Sequence, residues 1–190
     1  MEELPVRLAA DLDGSFGDLV RAHQDLVFGV ALRVVRDGAS AEDIAQEAFV
    51  RAYRALKKYP SDRVEELKAR PWLARITMNL ARNHVRGQRQ RRHDNVDDIR
   101  EHLPSNEDGP VRLAERRDDA RMWARLLAGL PDRYRLAVAL RHVDGLSYDE
   151  LSEALDKPLG TVKSDVHRGI GMLRAAYDAE QRSIAQKEAV

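Results

Sequence analysis

Apolar residues return at three- and four-residue steps along almost the whole chain. Phe16, Leu19, Val20, Leu26, Val27, Val30, Ala31 and Val34 keep that spacing, which places them on one stripe of an α-helix. Ser15 stands at the N-cap position before the run, and Asp37-Gly38 ends it. Ser40-Ala-Glu-Asp43 reads as a capping-box-like start. Ile44, Ala48, Phe49, Ala52, Tyr53 and Leu56 follow as the buried stripe of a second helix, until Tyr59-Pro60-Ser61-Asp62 breaks it. Pro71 suits a first helical turn, where its missing N–H costs nothing, and opens a third helix to about Arg92.

The pattern then lapses. His93 to Pro110 holds two prolines, two asparagines and a glycine with little apolar period, the signature of an extended linker. Helical spacing resumes from Val111 to Leu130. It restarts at Pro131-Asp132 and runs through Leu136, Val138, Leu140 and Val143 to Asp144-Gly145. Two more helices are expected near 148–155 and 161–177, and the polar tail after Asp178 is expected to fray. No strand alternation of any length and no internal repeat is present. The expected fold is all-α: two small helical domains, 1–92 and 111–178, joined by an acidic flexible linker over 93–110, with a tail over 179–190.

Composition narrows the function classes. The 190 residues are 43% hydrophobic and 34% charged, a soluble globular composition. No run of about 18 apolar residues exists, so no membrane insertion is expected. Met1-Glu-Glu-Leu-Pro5 lacks the apolar core of a secretory signal. Cysteine is absent. That excludes disulfides, cysteine nucleophiles and cysteine-ligated zinc, and it fits a reducing cytoplasm. The six histidines, at 23, 84, 93, 102, 142 and 167, are scattered and form no H-x-x-x-H or H-E-x-x-H pair. No metal site, cofactor or hydrolytic centre is therefore expected.

The net charge of zero hides a segregation. Residues 1–92 carry 17 Lys/Arg against 13 Asp/Glu, and residues 93–110 carry one Arg against six acids. No acid at all occurs from Leu67 to His93. Local patches, not the total, decide affinity for nucleic acid.

Three faces carry candidate chemistry. On the third helix Arg75, Asn79, Arg82, Arg86 and Arg89 recur at steps of four and three. Asn83 lies beside that stripe and Trp72 stands at its N-terminal end. Without interleaved acids the stripe is not explained by i,i+4 salt bridging. A cationic track beside an aromatic ring and amides suits a single nucleic-acid strand with exposed bases; the alternative is a solvated arginine face. On the second helix Asp43, Gln46, Glu47, Val50 and Arg54 share the exposed side. This acidic patch with an apolar centre could dock on a basic helical partner, although most surface helices have such a face.

The third face lies near the C-terminus. Ser147 and Glu150 form an S-x-x-E capping box. Asp156-Lys157-Pro158 forces a turn, and Val162, Val166, Ile170 and Leu173 give the following helix its buried stripe. That is helix-turn-helix form. At ~100° per residue the opposite face carries Thr161, Ser164, His167, Arg168 and Gly171, with Lys163 and Asp165 on its two flanks. Such groups can reach base edges and phosphates in a major groove; an αα-hairpin with a solvated polar face is the alternative.

Together these segments resemble a bacterial sigma factor of the extracytoplasmic-function type. The similarity runs in order along nearly the whole chain. His23-Gln-Asp-Leu-Val-Phe-Gly-Val-Ala-Leu32 resembles region 2.1, and Asp43-Ile-Ala-Gln-Glu-Ala-Phe-Val-Arg-Ala-Tyr53 resembles region 2.2. Pro71-Trp-Leu-Ala-Arg-Ile-Thr-Met-Asn-Leu-Ala-Arg-Asn83 resembles regions 2.3 and 2.4. Gly145-Leu-Ser-Tyr148 through Gly160-Thr-Val-Lys-Ser164 resembles region 4.2.

The resemblance implies roles by position. Asp43, Gln46, Glu47 and Phe49 fall in the motif that docks on the clamp coiled coil of core RNA polymerase, with Phe49 packing the helix. Trp72, Arg75, Asn79, Arg82, Asn83 and Arg86 fall where the unpaired strand of the −10 element is held. Thr161, Lys163, Ser164, His167 and Arg168 fall on the helix that reads the −35 element. The implied partners are core RNA polymerase, promoter DNA and an anti-sigma factor.

Four departures stand out. The stretch from Tyr59 to Trp72 is longer and more acidic than the usual loop. Ala74 replaces an aromatic, Asp165 replaces a basic residue, and Gly169 and Gly171 replace better helix formers. The reading is a non-enzymatic initiation factor that directs polymerase to promoters. A stand-alone helix-turn-helix regulator is the alternative, but it leaves the 43–53 motif and the arginine stripe without roles.

Overall fold

The computed structural model describes residues 3–94 and 114–188. Residues 95–110 of the expected linker lie outside the described residues. Every regular element among the described residues is an α-helix. Backbone proximity groups them into two compact units, one of residues 3–94 with Asp149–Asp156, the other of residues 114–148 and 157–188. The sequence pattern assigns 149–156 to the second unit; the grouping counts this segment with the first.

In the first unit α1 spans Leu4–Ala10 and α2 Leu12–Val35. Asp11 separates them in an extended conformation, and its carboxylate accepts the Gly14 N–H at 2.9 Å. Asp11, not Ser15, is therefore the N-cap of α2. Ser15 is buried inside the first turns and donates to the Arg7 carbonyl at 3.3 Å. Asp37 likewise caps α3, Gly38–Leu56, by accepting the Ser40 N–H at 2.8 Å. Arg36, left-handed at φ 60°, ends α2. Where aspartate and serine compete for a start, the residue held in extended backbone just ahead of the first turn takes the cap.

The break after Leu56 is real, but the stretch to Trp72 is not all loop. Ser61–Glu65 forms α4, whose Val64 joins Leu8, Leu19 and Leu56 in the core. Helix α1 packs against both α2 and α4. Helix α5 spans Ala69–Asp94, starting two residues before Pro71. It packs with α2 and α3 through Leu73, Ala74, Met78 and Ala81, all fully buried.

In the second unit α6 spans Ala114–Ala128 and α7 Asp132–His142. Residues 135–140 of α7 are buried without a break, so α7 is the centre of the unit. Buried Arg135 is satisfied by the Leu130 carbonyl at 3.2 Å and the Asp132 carboxylate at 2.7 Å, which fixes the corner between α6 and α7. Helix α8, Tyr148–Leu155, grouped with the first unit, is followed in sequence by Asp156-Lys157-Pro158 and by α9, Leu159–Glu188, of the second. Asp156 takes the left-handed turn at φ 54°, and the Pro158 carbonyl accepts the N–H of Thr161 and of Val162. Helix α9 runs ten residues past Asp178, where a frayed tail is expected. The Ala-, Glu-, Gln- and Lys-rich sequence there has high helix propensity, and Glu180 pairs with Arg125 of α6 at 3.1 Å.

Helices α7 and α9 cross closely at Gly169. A Cβ on that glycine would lie 2.5 Å from Val138 Cγ2 and 3.3 Å from the Tyr134 carbonyl oxygen. The low helix propensity of Gly169 is thus the cost of a close crossing.

Candidate nucleic-acid interface

Helix α3 turns Ala41, Ile44, Ala48 and Ala52 to the core. The 3.6-residue period then sends Asp43, Gln46, Val50 and Arg54 outward. Glu47 is half-exposed, and its carboxylate accepts from Arg51 Nε at 2.7 Å, one turn on. Phe49 is half-buried and packs against the core, so it anchors the helix that presents the acidic groups.

Helix α5 separates its faces completely. Leu73, Ala74, Thr77, Met78 and Ala81 are fully buried, whereas Arg75, Asn79, Arg82, Asn83 and Arg86 are exposed. Thr77 fits the apolar face because its hydroxyl donates to the Leu73 carbonyl at 2.8 Å. The Arg89 side chain lies outside the described residues. Ala74 faces inward, so its departure from an aromatic alters packing and not the exposed surface.

Trp72 is half-buried at the start of this face, with the Tyr59 ring 6.2 Å away at 53°. The Arg63 guanidinium lies 3.8 Å from the Tyr59 ring centroid. Tyr59 and Arg63 did not figure among the candidates from sequence. Tyr59 precedes α4 and Arg63 lies within it, so no helical period pairs them, and the link to Trp72 exists only in three dimensions.

On α9, Thr161, Lys163, His167 and Arg168 are exposed and Ser164 is half-exposed. The Lys163 ammonium lies 5.8 Å from the Tyr148 ring centroid. These residues occupy one side of the helix, with Val162, Val166 and Gly169 buried on the other.

Asp165 is not on an exposed flank. It is 1% exposed. Its Oδ2 accepts from Lys157 Nζ at 2.8 Å and its Oδ1 from an Arg133 nitrogen at 3.0 Å. Three residues after Val162 and four before Gly169, it shares their inward side of the helix. Burial by itself raises the pKa of this carboxyl; the hydrogen bonds and charges of Lys157 and Arg133 outweigh it and hold the group below the usual carboxylate value. Asp165 can therefore neither accept from a base nor repel the DNA backbone.

Among the described residues no group of histidines and carboxylates has metal-site geometry, and no helix is long and apolar enough to cross a membrane. The exposed groups are cations, amides, hydroxyls and an imidazole on two helices, and carboxylates on a third. Such an arrangement suits a charged polymer as a ligand.

Comparison with known proteins gives the same order of parts. Residues 19–91 match the family Sigma-70 region 2, and residues 120–173 match Sigma-70, region 4. The chain is 36% identical over 163 residues to the ECF RNA polymerase sigma factor SigE of Mycolicibacterium smegmatis, covering 84% of this chain and 60% of that protein's length. It is 34% identical over 161 residues to the ECF RNA polymerase sigma-E factor of Escherichia coli, covering 81% of this chain and 82% of that one. The fold is similar to that of the sigma factor RpoE of Bartonella quintana, solved in complex with the anti-sigma factor NepR. The TM-score is 0.62 at 20% identity, covering 86% of this chain and 96% of that one.

Proposed function

The chain belongs to the extracytoplasmic-function sigma factors of the sigma-70 family, transcription initiation factors, and we propose that it docks on core RNA polymerase through α3 and holds promoter DNA through α5 and α9. The observation that carries this reading is α5: a face of arginines and asparagines to which residues 69–93 contribute no acid, with Arg75 paired to Asp156 at 3.3 Å, set against a fully buried apolar face. In this reading Asp43, Gln46 and Glu47 meet a basic helical surface of polymerase. Trp72, Arg75, Asn79, Arg82, Asn83 and Arg86 hold the unpaired −10 strand, where unstacked bases make recognition and melting one event. Thr161, Lys163, Ser164, His167 and Arg168 contact the −35 duplex.

Each DNA contact set is small, so neither domain alone binds promoter DNA strongly; the linker supplies effective concentration once both sit on polymerase. The chain does no covalent chemistry of its own, because RNA synthesis belongs to polymerase. Its place of work is the cytoplasm. An anti-sigma factor, such as the one bound to the Bartonella relative, would inactivate it by covering these faces.

Glu47→Lys tests the docking assignment. It exchanges one exposed ion pair, of the kind that contributes about 0.5 kcal/mol or less to folding, so helicity and melting temperature stay nearly unchanged. Affinity for core polymerase, read by titration, is expected to fall about tenfold, the loss of a favourable contact and the gain of a like-charge one. An unchanged affinity would remove the docking role from α3. The stand-alone regulator is not favoured, since it leaves the exposed faces of α3 and α5 without partners.

A further inference from the structure

We propose that Asp165 is a positioning residue for −35 recognition, setting through Lys157 and Arg133 the pose in which α9 presents its exposed face. The inference rests on the reading of α9 as the recognition helix and goes beyond it. It assigns a determinant of base preference to a residue that cannot touch a base.

The geometry is a three-way clamp. Lys157 lies in the turn that aims α9, between left-handed Asp156 and Pro158. Arg133 lies in the first turn of α7, the buried centre of the unit. Both oxygens of Asp165 are engaged, one by each cation, at 2.8 and 3.0 Å. One turn further along α9, Gly169 meets Val138 and Tyr134 of the same α7. Helix α9 is thus fixed to α7 at two successive turns, and its entry turn is tied to the first of them.

Removing the carboxylate loosens the turn and the first turns of α9, residues 159–165, while leaving the Gly169 crossing in place. The side chains at 161–168 then lose their common frame. Bidentate contacts to base edges depend on that frame, whereas contacts to phosphate tolerate a shift.

Two other roles are separable from this one. Lys157 and Arg133 side chains are 28% and 53% exposed, so each could be a phosphate contact. The clamp could also serve stability alone.

The test uses the full chain in holoenzyme with core polymerase. The DNA probes are fragments selected by that holoenzyme from a promoter library randomised across the −35 element, and the same fragments with that element scrambled. Asp165→Asn is expected to lower the preference for selected over scrambled DNA by about tenfold, the loss of one well-made base contact. The slope of log affinity against log salt stays unchanged. Lys157→Met is expected to lower the preference in the same direction, and to add nothing further in the Asp165→Asn background.

Full preference in folded Asp165→Asn, including a variant that only melts earlier, would overturn the proposal. So would additive effects of the two substitutions. A salt slope reduced by about one unit in Lys157→Met with preference intact would make Lys157 a phosphate contact instead. If Asp165→Asn does not fold, Lys157→Met and Arg133→Met each remove one arm from a partly exposed cation, and retained preference in both overturns the clamp. A wild-type holoenzyme that shows no preference between the two probes refutes the recognition-helix reading itself, and the proposal falls with it.

Discussion

Two glycines in α9, two residues apart, should respond to the same substitution with opposite sign. Gly→Ala inside a helix gains about 0.8–1 kcal/mol from backbone entropy and propensity. At Gly171 nothing lies within 4 Å of the added Cβ, so Gly171→Ala keeps that gain. At Gly169 the Cβ would lie 2.5 Å from Val138 Cγ2, about 1 Å inside ordinary carbon–carbon contact. Valine in a helix has essentially one χ1 rotamer, and the Tyr134 carbonyl, 3.3 Å away, is backbone. Neither neighbour yields cheaply, so α9 must move off α7 or Val138 must leave its rotamer.

Overpacking of this kind costs about 1–3 kcal/mol; less the propensity gain, the net loss for Gly169→Ala is about 0–2 kcal/mol, towards the upper end because neither neighbour yields. Urea denaturation followed by circular dichroism reads both changes. Val138→Ala removes the clashing methyl, so Gly169→Ala should cost less in that background than in the wild type. If Gly169→Ala stabilises as much as Gly171→Ala, the close crossing of α7 and α9 is wrong.

Four further outcomes concern the DNA-facing residues and the buried Asp165. Asn79→Ala with Asn83→Ala should cut transcription from duplex promoters more than from templates pre-melted across the −10 element; equal losses would show that the two amides do not aid opening. Arg168→Ala should relax −35 preference, by about the 1–3 kcal/mol of a base contact. Lys163→Ala should weaken all promoters alike and reduce the salt slope by about one. Quantitative binding on −35 variants separates the two, and identical profiles would contradict the assignment. Asp165 has a lowered folded pKa, so its contribution to stability is present above the unfolded value and is lost as the carboxyl protonates. The stability gap between wild type and Asp165→Asn should hold from pH 8 to about 5 and shrink below about pH 4; a gap that widens in acid would contradict the ion pairs.

The sequence was most legible where the apolar period is long. Helices α2, α3 and α5 run for about five turns or more, and the structure buries Leu19, Val27, Ile44 and Ala48 as the period predicts. Helices α1 and α4, of seven and five residues, are too short to display a period; each is held by tertiary burial of Leu8 and Val64. The candidate faces were legible for the same reason as the core, since a helix that buries one side exposes the other. Asp165 was misplaced because an angle of ~100° per residue leaves a boundary residue undecided. Its side is settled by Arg133 and Lys157, 32 and 8 residues away in sequence. Gly169 is of the same kind: its value lies in what it lets α7 approach, which helix propensity counts only as a cost. Buried Arg135 had only Asp132, three residues before it, as a sequence signal; its other partners are the carbonyls of a corner that exists only when α6 and α7 have packed.

Run-off transcription tests the central claim most directly: purified core polymerase, with and without the full chain, on a library of promoter fragments. Core with the chain should yield discrete transcripts from a defined subset of fragments that share −35 and −10 sequences, and core alone should yield none from that subset. The same fragment set transcribed with and without the chain, or the chain bound tightly to those duplexes in the absence of core, would contradict an initiation factor and support a stand-alone regulator.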